Sequence, residues 1–212
     1  MLNFGFSAFL KLVSLNDRQQ RTEIRKRRGP SSGGYDYHKS FRRHARRYLV
    51  DGEEMTGVLA SANGITRPPE RLSAVGALER LEVWRGLHAG DILPFGSSVY
   101  ESPDRLFRVK FKPDFAFCIG GNTAAIHLWN TAKPRLAPGP AYAAMTLAAQ
   151  AYDNQDVVPD TIGVLCMREP VSLRLLSDAA DQSVLAASIV ERLEDLIRGT
   201  DPGAPAEERP PA

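Results

Sequence analysis

Leu72, Val75, Leu78, Leu81 and Trp84 recur at three-residue intervals, with Val83 and Leu87 beside them and Glu79, Arg80, Glu82 and Arg85 around the other faces. This pattern predicts a surface helix over residues 70–87, opened by Pro68-Pro69 and closed near Gly86 or Gly90. The period then changes. Phe107, Val109 and Phe111 alternate with Arg108, Lys110 and Lys112, the mark of a strand with one buried face. After Pro113-Asp114, residues 115–119 read as a more deeply buried strand. Gly120-Gly121-Asn122 turns it back into a strand over 123–130, an antiparallel hairpin. Three prolines make residues 133–140 a loop, and the alanine-rich stretch 141–152 a buried helix. The apolar run 162–167 suits a central strand, and 183–198 a last helix using Val184, Leu185, Ile189, Leu193, Leu196 and Ile197.

Before residue 70 the pattern is less regular. Phe6, Phe9, Leu10 and Val13 share a face and predict a short amphipathic helix that docks on the domain. Lys11 interrupts the stretch, which is too short to span a bilayer. A second helix over 37–49, capped by Asp36, carries Tyr37, Phe41, Ala45, Tyr48 and Leu49 on one stripe. Gly29 to Gly34 form a turn before it, and residues 51–66 show no distinct pattern. The expected fold is α/β (α+β): a small mixed sheet with an antiparallel hairpin, flanked by helices. The expected division is a basic helical arm over 1–50, a core over 51–199 and a disordered tail over 200–212.

Charge sharpens this division. The net charge of +2 hides a strong asymmetry. Between Arg18 and Arg47 eleven basic residues face two acidic ones, a local +9; the rest of the chain, with sixteen basic and twenty-three acidic residues, carries −7. Nine of the eleven are arginine, whose planar fork matches phosphate oxygens in pairs. Arg25, Lys26, Arg27, Arg28, Arg42, Arg43, Arg46 and Arg47 are therefore candidate nucleic-acid contacts. The competing reading is a solvated helix face, or an arm lying against the acidic body.

Catalytic motifs are sparse. His38, His44, His88 and His127 lack metal-ligand spacing, and neither a G-x-S-x-G elbow nor a Walker loop is present. Cys118 and Cys166 sit in apolar runs as free thiols, without a disulfide framework, so a reducing, cytoplasmic setting is expected.

The element order from residue 70 to 167, with Pro113-Asp114 in the strand region and Ala-Ile-His-Leu-Trp-Asn-Thr-Ala-Lys-Pro after it, resembles the PD-(D/E)XK nuclease superfamily. The resemblance implies an acid pair holding Mg²⁺ and a lysine assisting a water. It maps Asp114 to the first acid, Glu79 to a helical acid and Lys133 to the lysine. The second acid is missing, because no Asp or Glu occurs between Asp114 and Asp153. Asp114 alone would hold a hard cation poorly. Asp114 reads on its own as a turn residue, His127 as a polar residue on a strand face, and Lys133 as a solvated loop residue. The expected protein is nucleic-acid-associated and noncatalytic, with no cofactor. The alternatives are a divergent nuclease using Asp114, Glu79, Lys133 and Mg²⁺, or a protein-interaction module meeting an acidic partner.

Overall fold

The computed structural model describes residues 1–29 and 38–200. The expected cap Asp36, the start of its helix at Tyr37, most of the Gly29–Gly34 turn and the tail from 201 lie outside the described residues. The elements run β1 (Leu2–Gly5), α1 (Phe6–Val13), α2 (Asp17–Arg28), α3 (Lys39–Leu49), α4 (Met55–Asn63), α5 (Pro68–Leu87), β2 (Asp91–Leu93) and β3 (Ser98–Glu101). After these come β4 (Phe107–Phe111), β5 (Phe115–Ile119), β6 (Asn122–Trp129), α6 (Pro138–Gln150), β7 (Thr161–Cys166), β8 (Ser172–Leu175) and α7 (Ser183–Arg198). This is an α/β fold with two mixed sheets rather than one. No helix among the described residues is long and apolar enough to cross a membrane.

The larger sheet has the order β2-β5-β6-β7-β8 and forms the middle layer. Its β5–β6 hairpin turns through Gly120 and Gly121, at φ 59° and 84°, with Ile119 opposite Asn122. Two successive positive φ values suit glycine and match the twist of the flanking strands. β6 and β7 are parallel, joined through α6. Pro138 and Pro140 occupy the first turn of α6, where a missing N–H costs no intrahelical bond.

Strand alternation splits the core in two. Ala124, Ile126 and Leu128 of β6, with Phe115, Phe117 and Leu165, face α3, α4 and α5. Ala125 and Trp129 of β6, with Ile162 and Val164, face α1, α6, α7 and the smaller sheet, β1-β4-β3. α5 differs from the pattern expected for it: it buries Ala74, Ala77, Leu78, Leu81 and Trp84, while Leu72, Val83 and Leu87 are exposed. Steps of three residues fall short of a turn by about 60° each, so the apolar series winds around the helix instead of staying on one face. In α7, Val184 and Leu185 are likewise exposed and the remaining expected positions are buried.

The expected arm over 1–50 is not a separate body. β1 pairs in parallel with β4, Leu2 opposite Phe107 and Gly5 opposite Lys110. Phe4, Phe6, Phe9, Leu10, Leu12 and Val13 are buried in the first core cluster. α2 starts from a reciprocal cap between Asn16 and Gln19 and buries Ile24 in the same cluster. α3 packs Phe41 and Ala45 into the second cluster with α4 and α5. α4 itself forms where no clear pattern was visible, burying Met55, Val58 and Ala62.

Candidate functional site

Two polar features stand out: the basic surface and a chain of side chains between the start of α1 and the middle sheet. Of the eight candidate cations, Arg25, Lys26, Arg27, Arg43 and Arg46 are exposed and Arg28, Arg42 and Arg47 are half-buried. Arg28 Nη2 donates to the Ile197 carbonyl at 2.5 Å, tying α2 to α7. Arg47 makes a two-pronged pair with Glu53, at 2.7 and 2.6 Å, and also donates to Ser61. Arg42 Nη1 donates to Ser7 Oγ at 3.1 Å. These three positions are thus engaged within the fold, which sequence spacing could not reveal. Arg27 lies over the Phe4 ring, 4.8 Å from its centre. Lys26 approaches Glu23 at 3.3 Å and Arg46 approaches Asp51 at 3.9 Å.

A groove of about 630 Å³ runs along α1 and α2. Lys11, Arg18, Lys26 and Lys133 line it, with Glu23 its one acidic lining residue. Lys133, the expected water-assisting lysine, thus faces the basic groove. Glu79, the expected helical acid, lines a separate hollow with Trp84, Leu87 and His88. Neither hollow is lined by Asp114, so neither brings the expected catalytic trio together.

Asp114 directly precedes β5, and its N–H donates to the Ile126 carbonyl at 2.8 Å. Its Oδ2 accepts the Leu128 N–H at 2.7 Å and lies 3.2 Å from His127 Nδ1. The Nδ1–H is poorly aligned with that oxygen, so the contact is a close approach without hydrogen-bond geometry. On the other side of the ring, His127 Nε2 lies 2.8 Å from Ser7 Oγ. Arg42 can only donate, so its bond to Ser7 Oγ leaves the hydroxyl proton free to point at Nε2. With the hydroxyl donating to Nε2, the ring carries its proton on Nδ1, on the side of Asp114. His127 is 1% exposed, with Phe6 edge-on to its ring at 5.2 Å. The polar strand-face residue His127 and the turn residue Asp114 thus meet a third side chain, Ser7, which no local sequence signal marks.

No family model and no curated protein matches this chain. Among solved structures, the one described as "Crystal structure of SSO0001" aligns over 88% of this chain and 83% of that chain, at 12% identity and a TM-score of 0.37.

The donor set around Asp114 does not fit the Mg²⁺ that the nuclease resemblance implies. Magnesium takes converging oxygens, whereas Asp114 meets an imidazole and an amide N–H, with a guanidinium beyond them. Among the described residues no three His, Cys, Asp or Glu side chains are grouped as metal ligands.

His44 on α3 is the second buried histidine. Burial foremost, then the charges of Arg43 and Arg47, hold its pKa below the ordinary 6.5, against a smaller opposing pull from Glu53. The folded chain therefore resists a proton that the unfolded chain accepts. Stability is expected to fall as pH drops below about 6.5 and to level off once the lowered folded pKa is passed. Urea midpoints of wild type and His44→Leu measured from pH 7.5 to 5 check this; the variant should show the shallower decline.

Proposed function

We propose that the chain is a nucleic-acid-binding protein on a nuclease-like core that does not cleave its ligand, holding the phosphate backbone along α1, α2 and the loop after β6. The observation that carries this reading is the groove in which Lys11, Arg18, Lys26 and Lys133 meet a single acidic residue, Glu23. Glu23 lies 3.9 Å from Lys11 and 3.3 Å from Lys26, so one carboxylate is shared between two ammonium groups and the groove keeps a formal +3. Arg21 and Arg25, exposed on α2, extend the positive surface beyond it. Contacts of this kind recognise phosphate spacing rather than base sequence, so binding is sequence-tolerant and salt-dependent. The absence of a fitting Mg²⁺ donor set beside Asp114 favours binding over hydrolysis.

The test is fluorescence anisotropy with a labelled oligonucleotide over a range of KCl concentrations. Four phosphate contacts predict a log–log slope of roughly −3 to −4. The double variant Lys26→Glu/Lys133→Glu is expected to weaken binding by roughly 10²-fold and to flatten the slope. Binding that ignores salt, or that is unchanged in the double variant, would overturn the reading.

A further inference from the structure

We propose that Ser7 is a nucleophile and that Ser7, His127 and Asp114 form an acyl-transfer relay acting on small carboxylic esters. The geometry carries the inference. Ser7 Oγ is 2.8 Å from His127 Nε2, and the opposite ring nitrogen faces Asp114 Oδ2 at 3.2 Å. A nucleophile bonded to a base, and a base oriented by a carboxylate, is the arrangement that activates a hydroxyl at neutral pH. The looser His127–Asp114 contact resembles that of many empty sites, where such bonds tighten only around a reacting substrate.

The position of Ser7 in the chain adds a second element. It is the second residue of α1, directly after β1, and the helix has no side-chain cap at Gly5. As the second and third residues of α1, Ser7 and Ala8 carry N–H groups that have no acceptor within the helix. First-turn amides point toward negative charge with the positive end of the helix dipole behind them. They are placed to receive the oxyanion that forms when Ser7 attacks a carbonyl, as the nucleophile's own N–H does in serine hydrolases. Arg42 Nη1, 3.1 Å from Oγ, puts a permanent positive charge beside the same atom.

The chemistry closes with water as the co-reactant. Ser7 Oγ bonds to the ester carbon as its proton passes to His127 Nε2, and the carbonyl electron pair moves to oxygen. Collapse restores the C=O, breaks the bond to the alkoxy oxygen, and the departing alcohol takes the proton from His127. Water then gives a proton to His127 while its oxygen bonds to the acyl carbon. Ser7 leaves with that proton, and a carboxylic acid is released. Ser7 and His127 are the catalytic residues. Asp114 acts through the imidazole and is a positioning residue. Because His127 is buried and Ser7 half-buried, the acyl part must be short.

This relay stands apart from the basic groove, so either proposal can fail without the other. The test treats the full chain with diisopropyl fluorophosphate, maps adducts by peptide mass spectrometry, and follows hydrolysis of p-nitrophenyl acetate. A single adduct on Ser7 is expected. Ser7→Ala should lower hydrolysis by about 10³- to 10⁴-fold, and Asp114→Asn should lower kcat with KM little changed. No adduct, an adduct on another residue, or hydrolysis by Ser7→Ala within about twofold of wild type would overturn it. The adduct site in the wild-type chain decides even where a variant fails to fold.

Discussion

Removing residues 1–13 is expected to abolish cooperative unfolding, not to leave a folded body without its arm. The deleted segment supplies β1, the parallel partner of β4, together with Phe4, Phe6, Phe9, Leu10, Leu12 and Val13 of the first core cluster. Phe9 sits at its centre, fully buried, stacked on Phe107 at 6.0 Å and edge-on to Phe4 at 6.4 Å, while Phe4 also meets Phe107 at 6.1 Å. Three rings from β1, α1 and β4 close on one another, so truncating one leaves a cavity that the other two cannot fill. Phe9→Ala is expected to cost about 3–5 kcal/mol. At a urea m-value of about 2 kcal/mol per molar, that moves the unfolding midpoint down by roughly 1.5–2.5 M. Circular dichroism and tryptophan fluorescence during urea titration check both variants. A truncated chain that unfolds cooperatively at the wild-type midpoint would contradict the packing described here. A practical consequence follows for nucleic-acid binding: deleting residues 1–50 cannot isolate the contribution of the basic surface, and charge substitutions on the intact chain can.

What the sequence disclosed was governed by how local each signal is. The alternation along β4, the glycine pair between β5 and β6, the apolar run of β7 and the stripe of α7 lie within the elements they predict, and those elements form close to the expected bounds. β1 has four residues and pairs with a strand more than a hundred positions away, so nothing near Leu2 signals its partner. α5 was legible as a helix but not in its facing, because its small core residues Ala74 and Ala77 carry less pattern than the exposed Leu72, Val83 and Leu87. Charge behaved similarly. The excess of arginine is evident by counting, yet whether each guanidinium is available depends on partners at varied range. Glu53 is six residues from Arg47, Ser7 thirty-five from Arg42, and Ile197 one hundred and sixty-nine from Arg28. The buried relay was the least legible feature. Asp114 and His127 are brought close by the hairpin register, but Ser7 reaches His127 across 120 positions, and no short motif encodes that meeting.

The register also makes Asp114 a structural residue, and its replacement by alanine is expected to be the most costly change to a polar side chain in the sheet. One carboxylate oxygen accepts the Leu128 N–H at 2.7 Å and faces the buried His127 Nδ1 at 3.2 Å. Asp114→Ala withdraws the acceptor of the Leu128 N–H and removes the carboxylate that faces the imidazole. An unmatched buried donor costs about 1–3 kcal/mol, which is the loss expected here. Asp114→Asn has the same shape and keeps one oxygen able to accept the Leu128 N–H, so its loss should be less than half as large. Thermal and urea unfolding of the two variants measure the difference. Equal losses would mean that the oxygen is not what matters, and negligible losses would mean that solvent replaces it. The pair also separates fold from chemistry at this position. Any activity lost in Asp114→Ala mixes unfolding with a misplaced imidazole, whereas activity lost in a stably folded Asp114→Asn reports the imidazole alone, because the amide can no longer hold the ring as the carboxylate does.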